Sequence, residues 1–284
     1  MSEAQKPTKQ PESCCPSDAE SAQKPGNVEK GKVIQLKPDL PAYVVSKPGA
    51  TAGLIVAYDI FGFKGQSRIR QVCDQLAEAG FFVILPDYYR GQQWTPEKME
   101  SQGFAGLMKF IPQFPWKGAL ETDFAAALAL VKKQPTVKKI GTVGFCWGAW
   151  IACRGAISGE ISAVYNAHPS VHVEQSFGGS ETDIAKLVKC PVMQDTAGGD
   201  KDTYKEGGDF FKALQAHPFG EHCVTRDFPD MAHGWTTRGD LSDPKIAAGV
   251  AKALGGGIEF LKKHLHESAT ETSSETTAAS EESK

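Results

Sequence analysis

The sequence lacks the features that would place the protein in a membrane or on nucleic acid. No stretch approaches the roughly 20 consecutive apolar residues of a membrane-spanning helix, and no apolar run follows the lysines near the N-terminus. The 31 basic and 34 acidic residues nearly balance, so the formal net charge is only −3. We therefore expect a cytoplasmic protein with no nucleic-acid partner and no membrane partner.

The seven cysteines include no CxxC pair and no spacing typical of a zinc site. Their number is odd, and a chain of 284 residues with 40% hydrophobic residues can bury a core without disulfides. A disulfide framework and a bound metal are therefore not expected. At least one of these cysteines needs another explanation.

Composition divides the chain into three parts. Residues 1–29 are rich in serine, proline, lysine, glutamine and glutamate, and are predicted to form a flexible arm. Residues 267–284 form a low-complexity segment of serine, threonine and glutamate that is predicted to be a disordered acidic tail. The part between them, residues 30–266, is predicted to be a single folded domain.

Short apolar runs alternate with longer helical patterns within that domain. The predicted strands are Lys32–Leu36, Ala42–Val45, Gly53–Tyr58, Phe81–Leu85, Lys139–Gly144, Ile161–Asn166, Pro191–Thr196 and His222–Phe228. The predicted helices are Gln66–Ala79, Glu97–Gly103, Lys117–Lys133, Trp147–Ile157, Tyr204–Gln215 and Pro244–Leu265. Several of the strands are apolar throughout, as strands covered on both faces must be. The pattern predicts a three-layer α/β fold with a mostly parallel, doubly wound sheet, whose functional residues follow the carboxyl ends of the strands.

One cysteine lies in a sequence motif that is typical of a catalytic nucleophile. Gly144-Phe145-Cys146-Trp147-Gly148 joins a predicted strand to a predicted helix, which is the G-x-S-x-G nucleophile elbow with cysteine in place of serine. The glycines are needed because the strand and the helix pass close to each other at such a turn. A helix N-terminus also favours a thiolate. Cys146 is therefore the candidate nucleophile, and a buried inert cysteine is the alternative interpretation.

An elbow nucleophile needs a base and an acid that orients it, in the chain order nucleophile, acid, histidine. Asp200 follows the strand Pro191–Thr196, and His233 follows the strand His222–Phe228. Both are the predicted partners of Cys146. Asp195 and Asp202 remain alternatives for the acid, and His168 is the second candidate for the base.

Together the segments GFCWGAW, AGGD, MAHGW and DIFG, the last at residues 59–62, resemble the dienelactone hydrolase family, also called carboxymethylenebutenolidases. The resemblance covers residues 30 to 265 in motif order. It implies an α/β-hydrolase fold that opens lactones or esters through Cys146, Asp200 and His233, without a metal or an organic cofactor.

The resemblance implies further site residues. Asp59 matches an acid that pairs with the resting cysteine, a glutamate in the bacterial enzymes. The backbone N–H groups of Ile60 and Trp147 match the oxyanion hole. Arg90 and Arg238 are the residues nearest to two arginines that hold the substrate carboxylate, each offset by one position.

Aromatic residues around the predicted site, Trp235 among them, indicate a pocket with apolar walls. The sequence thus predicts a cysteine-dependent hydrolase that forms a thioester with a small lactone or ester substrate and works as a monomer or homodimer. The alternative is a non-catalytic or thiol-sensing protein that keeps the α/β-hydrolase fold.

Overall fold

The computed structural model describes residues 29–62 and 68–266. Eight strands form one sheet: β1 (Lys32–Lys37), β2 (Leu40–Val45), β3 (Ala52–Ala57), β4 (Phe81–Pro86), β5 (Lys139–Phe145), β6 (Ala163–Ala167), β7 (Val192–Ala197) and β8 (Val224–Phe228). The α-helices of the described residues are α1 (Arg68–Glu78), α2 (Pro96–Phe110), α3 (Glu121–Lys132), α4 (Trp147–Ala156), α5 (Glu181–Leu187), α6 (Asp209–Gln215), α7 (Trp235–Arg238) and α8 (Pro244–Leu265).

The strand order in the sheet is β1-β2-β4-β3-β5-β6-β7-β8. Strand β2 is antiparallel to both of its neighbours, and every pair from β4 to β8 is parallel. All residues of β3, β4 and β7 are buried, as expected of strands that are covered on both faces. This is the three-layer α/β-hydrolase fold that the sequence predicts.

Helices cover both faces of the sheet. A side chain at Gly53 would meet Val131 of α3, whereas the next residue, Leu54, lies on the other face with Gly141, close to Leu265 of α8. Because successive residues of a strand point to opposite faces, α3 and α8 pack on opposite sides. The core therefore consists of two apolar layers.

The parallel strands end together at one edge of the sheet. Phe145 at the end of β5 pairs with Ala167 of β6, which in turn pairs with Asp195 of β7. The loops that follow β3, β5, β6, β7 and β8 therefore leave from the same edge, and they carry the candidate functional residues.

The structure differs from the predicted elements mainly at helix ends. The helix predicted at Tyr204–Gln215 begins at Asp209, because Gly207 and Gly208 are poor helix formers. The helix predicted at Glu97–Gly103 continues to Phe110 past a non-helical Gly103. The helix predicted at Lys117–Lys133 begins at Glu121. The sequence patterns do not predict the short helices α5 and α7.

Other predictions concern residues outside the described part. Residues 1–28 and 267–284, which are nearly all of the predicted arm and the whole predicted tail, lie outside it, as do the first two residues of the helix predicted from Gln66. Within the described residues, no helix combines the length and the apolar character needed to cross a membrane.

Candidate active site

Cys146 lies on a sharp turn between β5 and α4. Its backbone has φ 53° and ψ −116°, a conformation that residues other than glycine seldom adopt. A Cβ atom at Gly148 would lie 2.1 Å from the carbonyl oxygen of Ala57, and one at Gly144 would lie 2.5 Å from the Cα atom of Ala149. Backbone fills the space on both sides, so the two glycines are present for the reason given by the elbow motif.

The predicted acid and base are in direct contact. Asp200 Oδ1 lies 2.5 Å from Nδ1 of His233, and Asp200 Oδ2 accepts the backbone N–H of Ala197 at 2.7 Å. The two loops are joined by a hydrogen bond from the Gly198 N–H to the Met231 carbonyl oxygen at 3.0 Å. The carboxylate of Asp200 is thus fixed at both oxygens, and it orients the imidazole.

The electrostatics of His233 connect it to Cys146. Burial lowers the pKa of His233, but negative charge on Cys146 and Asp200 outweighs burial and holds that pKa well above its usual value. Cys146 and His233 are only 6% and 8% exposed, so water screens this interaction weakly. A negative charge on Cys146 would therefore stabilise the protonated form of His233.

The two alternative acids lie elsewhere. Asp195 is fully buried, and its carboxylate accepts from Arg226 at 2.7 Å and from the Tyr165 hydroxyl at 2.8 Å. Asp202 has an exposed side chain that forms an ion pair with Lys205 at 3.1 Å. The structure therefore places Asp200, and neither alternative, against the histidine.

His168, the second candidate for the base, lies close to His233 but has a different environment. It is fully buried, its Nε2 lies 2.7 Å from the Thr236 hydroxyl oxygen, and its ring meets the His233 ring edge-on with centroids 5.0 Å apart. Burial, followed by the neighbouring His233, lowers the pKa of His168 well below its usual value. His168 is therefore a neutral packing partner of the candidate base.

Asp59 follows β3 and enters the same site. Its Oδ1 accepts the backbone N–H of Phe61 at 2.9 Å, and its Oδ2 accepts the Thr237 hydroxyl at 2.9 Å and lies 3.5 Å from Nε of Arg238. Burial raises the pKa of Asp59; Arg238 opposes this, and negative charge on Cys146 adds to it. The charge of this carboxyl group thus interacts with that of Cys146, and its contacts with Thr237 and Arg238 link the end of β3 to α7.

The two arginines have different positions. Arg238 is buried in the site, with its guanidinium carbon 4.1 Å from the centre of the Phe61 ring. Arg90 is held by two carboxylates: its Nε donates to Asp39 at 2.7 Å, and its other two nitrogens donate to Asp123 at 2.7 and 3.0 Å. The guanidinium of Arg90 is thus occupied by Asp39 and by the buried carboxylate of Asp123 in α3, and a role for Arg90 beside Arg238 in substrate binding stays a prediction.

The predicted oxyanion donors lie on two adjoining backbone segments. Trp147 is the first residue of α4, where backbone N–H groups have no acceptor within the helix. The close approach of Gly148 to the carbonyl oxygens of Ala57 and Tyr58 brings the end of β3, and with it the loop of Ile60, against this helix terminus. Both N–H groups therefore belong to the same corner of the site.

Buried aromatic rings pack beside these backbone segments. The buried ring of Trp147 packs on Tyr58 and Tyr89, with centroid distances of 6.1 and 4.5 Å. Trp235 is also buried, with its ring 5.3 Å from that of His168 and 5.2 Å from that of Phe228. Trp235 thus packs against His168, whose ring in turn contacts His233.

Ser170 is a site residue that sequence reasoning did not identify. Its hydroxyl oxygen lies 3.6 Å from the sulfur of Cys146, and the residue is 5% exposed. A signal was available, since Ser170 follows the end of β6, the strand next to the elbow strand. Residues in that place belong to the same edge of the sheet.

Across residues 29–62 and 68–266, no three histidine, cysteine, aspartate or glutamate side chains are grouped so that they could hold a metal ion.

The fold and this arrangement of residues define the class as an α/β-hydrolase. Comparisons with known proteins agree: the model of the dienelactone hydrolase family matches residues 40–265. A carboxymethylenebutenolidase homologue of Xenopus tropicalis is 31% identical over 259 residues, covering 89% of this chain and 98% of the relative. An uncharacterised AIM2 family protein of Schizosaccharomyces pombe is 31% identical over 245 residues, covering 82% and 91% of the two chains.

Solved structures show the same fold. A dienelactone hydrolase from Anabaena variabilis superposes with a TM-score of 0.58 at 17% identity, covering 83% of this chain and 98% of that one. The chain belongs to the dienelactone hydrolase family, and it is a carboxylic ester hydrolase.

Proposed function

We propose that the protein opens a lactone or cleaves a small carboxylic ester with Cys146 as the nucleophile, His233 as the base and Asp200 as the residue that orients the base. The contact of 2.5 Å between His233 and Asp200, next to a cysteine on a nucleophile elbow, carries this proposal. The names of the carboxymethylenebutenolidase homologues are consistent with such a substrate.

The chemistry follows from these positions. The thiolate of Cys146 attacks the carbonyl carbon, and the carbonyl oxygen becomes an oxyanion that the N–H groups of Ile60 and Trp147 stabilise. When the intermediate collapses, the C–O bond breaks, the alkoxide takes a proton from the imidazolium of His233, and a thioester remains on Cys146. His233 then removes a proton from water, which attacks the thioester and expels the thiolate.

A hydrolysis screen tests the proposed function. Lactones and short aryl esters are offered to the full-length protein and to a Cys146→Ala variant in parallel. Turnover that depends on Cys146 for at least one substrate supports the proposal. Absence of such turnover across the screen contradicts it and favours the non-catalytic or thiol-sensing alternative.

We further propose that Asp59 controls how reactive the resting nucleophile is. A negative charge beside the sulfur disfavours the thiolate, and a close charge in a buried site outweighs roughly half a unit of helix-dipole charge. Asp59→Asn should therefore speed the alkylation of Cys146 by iodoacetamide at neutral pH. It should also change hydrolysis by at least about tenfold, or roughly 1.4 kcal/mol in the barrier.

The matched control for this prediction is Asp202→Asn, which removes the same charge from an exposed side chain. The role of Asp59 is rejected if Asp59→Asn leaves both turnover and alkylation within about twofold of the parent protein.

A further inference from the structure

The hydroxyl group of Ser170 is held against the nucleophile by backbone hydrogen bonds. The N–H of Ser170 donates to the carbonyl oxygen of Cys146 at 3.0 Å, and the N–H of Cys146 donates to the carbonyl oxygen of Ala167 at 3.2 Å. The elbow and the loop after β6 are thus joined on both sides of the contact between the Ser170 oxygen and the Cys146 sulfur, which measures 3.6 Å. The position of the hydroxyl is therefore set by the fold.

We propose that Ser170 donates a hydrogen bond to the thiolate of Cys146 and stabilises the charged form of the nucleophile. This role rests on the proposed function, because it adds a fourth side chain to the same site. It is absent from the family resemblance described above.

The direction of the hydrogen bond follows from the chemistry of sulfur. A thiolate has no proton, so in the charged state only the Ser170 hydroxyl can donate. Hydrogen bonds to ionised groups are stronger than neutral ones, whereas the sulfur of a thioester is neutral and a weak acceptor. Ser170 therefore stabilises the thiolate more than the acyl-enzyme.

This preference matters at two steps. Before attack, it raises the fraction of Cys146 that is ionised at neutral pH. In deacylation, the C–S bond breaks and its electron pair moves to sulfur, so the hydrogen bond stabilises the leaving thiolate as its charge develops.

Other groups also act on the charge of Cys146, and all of them remain when the Ser170 hydroxyl is removed. They are the titratable side chains whose own pKa values respond to Cys146, namely Asp59, Tyr89, His168, His172 and His233. Removing an uncharged hydroxyl leaves these charges in place. A change in the ionisation of Cys146 therefore reports on the hydroxyl.

The test is the pH dependence of Cys146 alkylation by iodoacetamide, followed by mass spectrometry of the peptide that contains Cys146. Ser170→Ala should move the midpoint of this profile upward by about one pH unit, equivalent to about tenfold slower alkylation below the midpoint. Ser170→Gly is a second variant that also removes the hydroxyl and adds no bulk. Ser158→Ala is the matched control, because Ser158 follows α4 and its hydroxyl donates to the Gly155 carbonyl oxygen at 2.8 Å.

An unchanged midpoint in a folded Ser170→Ala or Ser170→Gly variant overturns the proposal. A lower melting temperature without a shifted midpoint assigns Ser170 a structural role only, and also overturns it. Alkylation requires no substrate, so the experiment is independent of the hydrolysis screen. If the midpoint shifts but no substrate is hydrolysed, the role of Ser170 is supported and the proposed function is rejected. If hydrolysis depends on Cys146 but the midpoint does not shift, the proposed function is supported and the role of Ser170 is rejected.

Discussion

Replacing Cys146 with alanine should reduce ester or lactone hydrolysis on the order of a thousandfold or more, because loss of the nucleophile removes the covalent route. The fold should remain intact. Alanine is no larger than cysteine, and both residues meet the same backbone strain at φ 53°. Steady-state kinetics of the purified variant tests the loss of hydrolysis. Circular dichroism and thermal unfolding test whether the fold is intact.

Cys153→Ala provides the matched control. Cys153 is fully buried in α4, the helix that follows the elbow, and its sulfur accepts a hydrogen bond from the side-chain amide of Asn166 at 3.3 Å. This variant should keep its activity while losing some stability. Native-like structure together with parental activity in Cys146→Ala would remove Cys146 from the mechanism.

The second large effect is expected from His233→Gln. General acid–base catalysis typically contributes about 10²–10⁴-fold to the rate, and glutamine can neither accept nor return the proton. The pKa of His233 is raised by negative charge on Cys146, so by reciprocity the imidazolium stabilises the thiolate. The variant should therefore also require a higher pH for alkylation of Cys146.

His217→Gln is the control for that experiment, since the His217 ring bonds to the Ala185 carbonyl oxygen at 2.8 Å and lies outside the site. The role of His233 as the base fails if His233→Gln hydrolyses its best substrate within about tenfold of the His217→Gln rate.

The central strands and the elbow could be predicted because their signals are local. Strands β3 and β4 are apolar throughout, and Gly144 and Gly148 flank Cys146 where backbone contacts leave no room for a side chain. The contact between Asp200 and His233 could be predicted because each residue follows a strand in the chain order that the elbow motif requires. In such cases a short stretch of sequence determines the geometry.

The rest depends on contacts between distant segments. Arg90 lies one position away from a substrate-binding arginine of the family pattern, and Asp39 and Asp123, far away in the chain, bind its guanidinium. The contact of Ser170 with Cys146 depends on the pairing of β6 with β5. Helix α5 has only seven residues, which is too short for a clear apolar periodicity. The main feature of the sequence that marks this helix is its N-cap, Ser180.

Trapping the acyl-enzyme is the most direct test of the central claim. A rapidly acylating aryl acetate is mixed with His233→Gln, in which we expect deacylation to be slow, and the digested protein is examined by mass spectrometry. The account predicts one acetyl group on the peptide that contains Cys146, sensitive to hydroxylamine as a thioester is and absent from the double variant with Cys146→Ala. Acetylation of Ser170 instead of Cys146, or continued hydrolysis with no acetyl group on Cys146, would contradict it.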